Sequence, residues 1–140
     1  DSSGKAAIGH GYTYSGHPVG AAAALAAIAE TRRLDVVTNA AARGTQLYNG
    51  MVSLAGQYPV VGDVRGGHGL MTAMELVADR ETKTPIDGKL AIKMQKAAYQ
   101  AGALIRVSGP NVILSPSLVI EEADIDIALN AVEEGLKAIS

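Results

Sequence analysis

The apolar positions along the chain first recur with a helical period. Over residues 18–31, Ala21, Leu25 and Ile28 follow one another at four- and three-residue steps among further alanines. Pro18 favours the first turn of a helix, where its missing N–H costs nothing. Because alanine permits close packing, we expect this helix to be buried against another surface.

Three later stretches show the same spacing. The first covers 35–56 and can be capped by Asp35. The second begins at Asp87 and ends at Gly102, because the residue that ends a helix often adopts a left-handed conformation, which glycine favours. The third opens at the acidic residues 121–124, whose charge complements the helix dipole. Their apolar stripes are, in this order, Val36, Ala40, Leu47, Met51 and Leu54; Leu90, Met94, Ala97 and Ala101; and Ile125, Leu129, Val132 and Leu136.

Between these helices, short aliphatic and β-branched runs predict strands. The runs at 60–65 and 70–77 are separated by a glycine-rich turn at 66–69, which indicates an antiparallel hairpin. Brief strands at 104–106 and 112–114 flank the turn Ser108-Gly109-Pro110-Asn111. The pattern predicts an α/β fold of the α+β kind, with helices packed on a short, mostly antiparallel sheet.

Composition and charge narrow the classes of partner. The 140 residues include 12 Lys+Arg and 14 Asp+Glu, for a net charge of -2, so no basic surface for nucleic acid or membrane is expected. The longest apolar run, 19–29, falls short of the roughly 20 residues that cross a bilayer. Cysteine is absent, which excludes disulfides and thiolate metal sites and agrees with a cytoplasmic location. Small molecules and protein surfaces remain as partners.

The three histidines do not form a recognisable metal site. His10, His17 and His68 have neither cysteine partners nor the i, i+4 spacing of a zinc pair, so we predict no metal.

The segment His10-Gly-Tyr-Thr-Tyr-Ser-Gly-His-Pro18 is the most unusual in the chain, because it places glycines, hydroxyls and imidazoles directly before a helix. Such a segment can present N–H groups and a hydroxyl to a phosphate. The alternative is a polar turn that only caps the helix through Ser15 or His17. The residues alone leave both interpretations open.

This segment resembles the signature of class III aminotransferases, particularly the omega-amino-acid:pyruvate branch. The resemblance continues in order along nearly the whole chain. It includes Val64-Arg65 with Gly69-Leu70-Met71 and Glu75-Leu76-Val77, the loop Asp79 to Pro85, and the stretch Ile105-Arg106 to Leu118. The departures are Ser115-Pro116-Ser117-Leu118, where a double proline is usual, and Pro110, where an acidic residue is common.

The resemblance implies a small domain of the pyridoxal-phosphate (PLP) fold type I and a homodimer. It assigns Thr13 to the phosphate of PLP bound in the partner subunit, with Tyr12 contributing backbone and ring beside it. A hydroxyl is a suitable donor to a phosphate oxygen. Residues 1–17 would be an interface and cofactor-phosphate loop, and residues 18–140 the small domain.

The resemblance also assigns Arg106 to the substrate carboxylate, which a planar guanidinium can bind through two parallel hydrogen bonds. The alternative is a strand-end arginine that reaches into water. Arg65 and Glu75 lie on the two strands of the predicted hairpin, so we interpret them as a cross-strand pair without a role in the site.

No catalytic residue is predicted within these 140 residues. The family's cofactor-binding lysine and the carboxylate that supports the PLP ring precede the signature, whereas the lysines here lie in other contexts and are expected on the surface. These are Lys5, Lys83, Lys89, Lys93, Lys96 and Lys137. Because the chain begins at Asp1 without a methionine or a signal peptide, we expect a cut end and an inactive C-terminal portion that normally joins a large PLP-binding domain.

The implied reaction moves an amino group from an omega-amino acid or amine to a keto acid such as pyruvate. Two alternatives remain open at this point. One is another class III chemistry, such as ornithine or acetylornithine transamination or a decarboxylation. The other is a non-catalytic interaction domain with the same fold.

Overall fold

The computed structural model describes residues 9–140, which form four helices and five strands. The helices are α1 (Pro18–Arg33), α2 (Val36–Gln57), α3 (Gly88–Gln100) and α4 (Glu122–Lys137). The strands are β1 (Val61–Arg65), β2 (Thr72–Asp79), β3 (Thr84–Pro85), β4 (Arg106–Ser108) and β5 (Asn111–Leu114). The predicted α/β class is confirmed, and each predicted helix and strand has a counterpart; β3 is additional.

The chain divides after Leu34 into two compact units. The described part of the first unit contains α1, whose residues are all exposed, so the burial predicted for this helix is not found among residues 9–140. The second unit, Asp35–Ser140, contains the hydrophobic core. The sequence analysis placed the boundary between residues 17 and 18, because residues 1–17 were expected to contact the cofactor. That boundary stays a prediction.

Helix α2 begins where predicted, but Asp35 does not cap it as predicted. Asp35 adopts a left-handed backbone, φ 46°, and makes no side-chain hydrogen bond to the helix backbone. Its carboxylate instead accepts a hydrogen bond from the Thr38 hydroxyl at 2.9 Å. Aspartate tolerates a left-handed backbone better than most residues. Asp35 thus still directly precedes the helix, but its side chain bonds the Thr38 hydroxyl instead of a backbone N–H. Four residues of the predicted stripe are buried, with Ala40 half-buried, and this confirms the helix face.

The sheet runs in the order β1-β2-β5-β4, with β3 paired to the end of β2, and every pairing is antiparallel. The hairpin of β1 and β2 is confirmed. The predicted strand at 104–106 is displaced, because β4 begins at Arg106 and Leu104 precedes it. Ser108 pairs with Asn111, which leaves Gly109, at φ 58°, and Pro110 as a two-residue turn that a glycine at its first position favours.

Helix α3 ends at Gln100, with the predicted closing residue Gly102 just beyond it, and its buried face departs from the predicted stripe except at Met94. Ala91, Met94 and Ala98 are buried, while Leu90 is exposed. Gly102 has φ 106° and donates its N–H to the Tyr99 carbonyl, and the Ala103 N–H donates to the Ala98 carbonyl. These two bonds form the glycine-dependent helix ending that the sequence predicted.

The core lies between one face of the sheet and helices α2, α3 and α4. Met74 and Leu76 of β2, together with Val112 of β5, are buried on that face. In α4, the predicted stripe is buried except for the half-buried Leu129, and the acidic first turn is confirmed. The opposite sheet face carries Asp63, Arg65, Glu75 and Asn111, which are exposed or half-buried.

Gly44 shows why the glycine-rich turn can pack on α2. It is buried, and a Cβ at this position would collide with the backbone of Gly69. The absent side chain therefore lets the turn at 66–69 approach the helix. This agrees with the interpretation of that turn as a structural one between β1 and β2.

None of the helices in the described part of the chain combines the length and hydropathy that a membrane span requires.

Candidate cofactor and substrate sites

The loop before α1 is a hydrogen-bonded turn that places Thr13 at its tip. The Tyr12 carbonyl accepts the Ser15 N–H at 2.9 Å, and the Ser15 hydroxyl accepts the Tyr12 N–H at 2.8 Å. These reciprocal bonds close the turn at both ends, so Thr13 and Tyr14 occupy its two central positions. All four residues are exposed.

His17 connects this turn to the helix. Its N–H donates to the Tyr14 carbonyl at 3.1 Å, and its Nδ1 accepts the Gly20 N–H at 3.3 Å. Accepting at Nδ1 requires that this nitrogen carry no proton. The capping role considered for the segment is thus performed by His17, with Pro18 following in the first helical turn.

Capping leaves the Thr13 hydroxyl available. Within residues 9–140 this hydroxyl has no hydrogen-bond partner, and it lies a few residues before a helix N-terminus, where the dipole favours anions. A hydroxyl donor in this setting fits a phosphate group. The Tyr12 N–H is already used by Ser15, so Tyr12 offers its exposed ring, which contacts the His10 ring edge-on at a centroid distance of 4.8 Å. Both assignments to PLP stay predictions.

Arg106, in the second unit, begins β4 opposite Ile113 and lies at a cleft of about 240 Å³. Apart from Arg106 and Ser115, the lining side chains are apolar, and they include Leu47, Leu104, Ile113, Pro116, Ile125 and Ala128. The guanidinium has no hydrogen bond or ion pair to any described residue. Arg106 therefore lies at the end of a strand, as the structural interpretation expects, but the cleft beside it also fits a role in substrate binding.

The chemistry of this cleft is that of one cation beside apolar walls. A carboxylate would find a single planar donor group there, and an apolar substituent would find the Leu and Ile side chains. Arg106 itself is exposed, so its guanidinium is accessible to a ligand from solvent. The cleft can thus hold a small molecule with both features.

Arg65 and Glu75 form the predicted cross-strand pair, at 2.9 Å between Nη1 and Oε2. Arg65 also contacts the Asp63 carboxylate at 2.9 Å and donates to the Asn111 side chain at 2.7 Å. The bond with Glu75, and to a smaller extent that with Asp63, raises the pKa of the Arg65 guanidinium against partial desolvation. Unlike Arg106, Arg65 is fully engaged by the protein, which supports its structural interpretation.

Sequence reasoning missed the positioning role of Ser15 and most of the cleft. Ser15 follows Tyr12 by three residues, a spacing at which a hydroxyl can bond back to the backbone, so its role had a local signal. The cleft residues Leu47, Pro116 and Ile125 come from separate parts of the chain and carried no such signal.

Among the described residues, no cluster of histidine and acidic side chains could hold a metal ion. The lysines at 83, 89, 93, 96 and 137 are exposed, as expected; Lys5 lies outside the described residues.

Comparisons with known proteins identify the class. The family model "Aminotransferase class-III" matches residues 3–136. A taurine–pyruvate aminotransferase of Bilophila wadsworthia is 37% identical over 134 residues, covering 91% of this chain and 29% of the relative. A leucine/methionine racemase of Thermococcus litoralis is 35% identical over 130 residues, covering 92% of this chain and 29% of the relative.

The solved structures agree with this class. An amine transaminase from an uncultivated Pseudomonas species, in its PLP-bound form, superposes with a TM-score of 0.85 at 39% identity, covering 95% of this chain and 30% of that chain. The fold is thus that of the matching part of this PLP-bound transaminase. The chain belongs to the class III aminotransferase family and spans about 30% of the length of the relatives that it matches.

Proposed function

We propose that this chain is the C-terminal part of a PLP-dependent transaminase that moves an amino group from an omega-amino acid or amine to a keto acid such as pyruvate. The observation that carries the proposal is the Arg106 guanidinium, without a partner among the described residues, at an apolar cleft. The family membership supplies the reaction class. When bound, PLP supplies an electron sink for the substrate carbon that loses its proton.

In this proposal Thr13 holds the cofactor and Arg106 holds the substrate. The Thr13 hydroxyl would donate to a phosphate oxygen of PLP in the partner subunit of a homodimer, and Ser15 would keep the turn in the conformation that presents this hydroxyl. The Tyr12 ring would lie beside the phosphate. The proton-transferring lysine belongs to a large PLP-binding domain that is also part of the proposal.

Arg106 would bind the carboxylate of the keto acid and orient its carbonyl carbon for amino transfer. An amine donor has no carboxylate, so its apolar substituent would use the Leu and Ile walls of the same cleft. This division lets one cleft serve two chemically different substrates in turn.

Substitution of Arg106 tests the proposal in the complete enzyme. We expect Arg106→Ala to impair pyruvate turnover far more than amine turnover, because hydrogen bonds to a charged group contribute about 1.5 to 3 kcal/mol and only the carboxylate substrate loses them. Arg106→Lys should restore only part, since an ammonium lacks the bidentate geometry. Single-turnover kinetics of each half-reaction measures both effects.

The control is Lys89→Ala, which removes an exposed cation of α3 that does not line the cleft and should change neither half-reaction. Equal losses for amine and carboxylate substrates in Arg106→Ala would identify Arg106 as a strand-end residue and remove the main support for the substrate assignment.

One relative favours a second candidate. The 35% identity to a leucine/methionine racemase suggests an amino acid with an apolar side chain, which has the same carboxylate and apolar groups that the cleft can hold. Racemisation of such an amino acid needs no keto acid. Chiral chromatography after incubation with an L-amino acid alone distinguishes the two: formation of the D-enantiomer supports the racemase, and its absence supports the transaminase.

A further inference from the structure

The segment 115–121 contributes part of the cleft wall but forms neither helix nor strand. Ser115 and Pro116 line the cleft beside Arg106. Directly after them, the Ile120 N–H donates to the Ser117 carbonyl at 3.0 Å and closes a turn. The position of this wall therefore depends on what holds the turn in place.

Asn39 of α2 holds that turn. Its side-chain amide donates to the Leu118 carbonyl at 2.9 Å and to the Ile120 carbonyl at 3.0 Å. A carboxamide nitrogen carries two hydrogens, so both are used on the same turn. Asn39 is half-buried, and its bond to the Ile120 carbonyl is less accessible to competing water than its bond to the Leu118 carbonyl, which is exposed.

The helix that follows the turn is held by other residues. The Gln46 amide donates to the Glu122 carbonyl at 3.2 Å and to the Asp126 carboxylate at 3.0 Å, and Arg43 pairs with the Glu122 side chain at 2.8 Å. Ile125 and Val132 also fix α4 in the core. Loss of the Asn39 bonds should thus release the turn and the adjoining wall while α4 stays in place.

We propose that Asn39 is a positioning residue for the substrate: by fixing the turn at 117–120, it fixes the Ser115–Pro116 wall and with it the space beside Arg106. This inference rests on the proposed function, because it assigns Arg106 to the substrate carboxylate. Asn39 does not line the cleft and acts through the turn alone.

The sharpest variant is Asn39→Asp, in the complete enzyme. It keeps the size of the side chain but replaces the donor with an oxygen that faces two carbonyl oxygens. A carboxylate near the N-terminus of α2 is favourable for the helix, so the substitution should not unfold it. The matched control is Asn49→Asp, the same exchange at an exposed position of the same helix.

Two measurements test the role. Hydrogen–deuterium exchange should rise in peptides that cover 115–121 and stay unchanged in α4. In steady-state kinetics, the KM for pyruvate should rise roughly tenfold, the size expected from losing two hydrogen bonds, with kcat within about twofold. Asn39→Gln, which keeps the two donor hydrogens on a longer side chain, should recover part of the KM.

The outcomes separate the two proposals. Unchanged exchange at 115–121, or an unchanged KM despite raised exchange, overturns the role of Asn39. If Arg106→Ala affects pyruvate selectively while Asn39→Asp equals its control, only the role of Asn39 fails. If Arg106→Ala shows no selectivity for the carboxylate substrate, the proposed function fails, and the positioning role fails with it.

Discussion

The hydroxyls at positions 13 and 15 show how two similar residues take different roles within one turn. Ser15 accepts the Tyr12 N–H and therefore closes the turn, whereas the Thr13 hydroxyl has no partner among the described residues. A short polar side chain that bonds its own backbone stabilises a local turn. The Thr13 hydroxyl is then exposed at the tip of the turn, where it can bind a ligand.

Replacement of Thr13 tests its cofactor role. In the complete enzyme, Thr13→Ala should weaken PLP retention about tenfold or more, because a hydrogen bond to a charged group contributes about 1.5 to 3 kcal/mol. Thr13→Ser keeps the hydroxyl and should retain most of the affinity. Equilibrium dialysis, with PLP followed by absorbance, measures the dissociation constant. An unchanged constant in Thr13→Ala would show that the phosphate is bound elsewhere.

At the scale of elements, Arg80 joins the C-terminal end of α2 to β1. Its guanidinium donates to the carbonyls of Ala55 and Tyr58 at the end of the helix, and to the Val61 carbonyl at 2.7 Å. The last carbonyls of a helix have no partners within it, and a cation also complements the negative end of the dipole. Arg80 therefore fixes the angle at which the chain leaves α2 and enters the sheet.

Removal of Arg80 should destabilise this junction. We expect Arg80→Ala to lower the free energy of unfolding by about 1 to 2 kcal/mol, since bonds to charged groups are strong but these are partly exposed to water. Lysine can reach fewer of the three carbonyls and should recover only part. Chemical denaturation gives the values, with Lys93→Ala, an exposed substitution on α3, as the control. A loss no larger than that of the control would show that the contacts contribute nothing.

At the scale of the whole molecule, the buried hydrophobic residues within the described range 9–140 lie between Val36 and Leu136, whereas α1 buries none of its residues. In α1, Leu25 is 69% exposed and Ile28 is 50% exposed. Apolar side chains at helical spacing form one stripe on a helix, and exposed stripes of this kind mark sites of protein association. The second unit has its own core, so association does not require it to unfold.

We accordingly expect the 140-residue chain to associate with itself as its concentration rises, and Leu25→Lys to reduce this association. Ala23→Lys adds the same charge on the opposite face of α1 and should reduce it less. Light scattering across a concentration series measures the average mass. A monomer at all concentrations, or equal effects of the two variants, would contradict a role for this stripe.

The sequence by itself determined the features that depend on near neighbours. Helical spacing, the glycine at 102 and the two-residue turn at 109–110 act within a few residues, so the helices, the β1–β2 hairpin and the end of α3 could be predicted. The local motif at 10–18 likewise identified the family, which the comparisons confirm. Arg65 and Glu75 were predicted as a pair because a hairpin brings its two strands together.

Only the tertiary structure decided what depends on distant residues. The predicted buried stripe of α3 was right at Met94 but wrong by one residue elsewhere, since Ala91 and Ala98 are buried and Leu90 is exposed. The space available in the core decides which face of α3 is buried, and the spacing of apolar residues along the chain does not carry that information. The cleft beside Arg106 is formed by residues from separate elements, and the hydrogen bonds of Asn39 also join α2 to a distant turn at 117–120. No spacing along the chain could therefore reveal either feature.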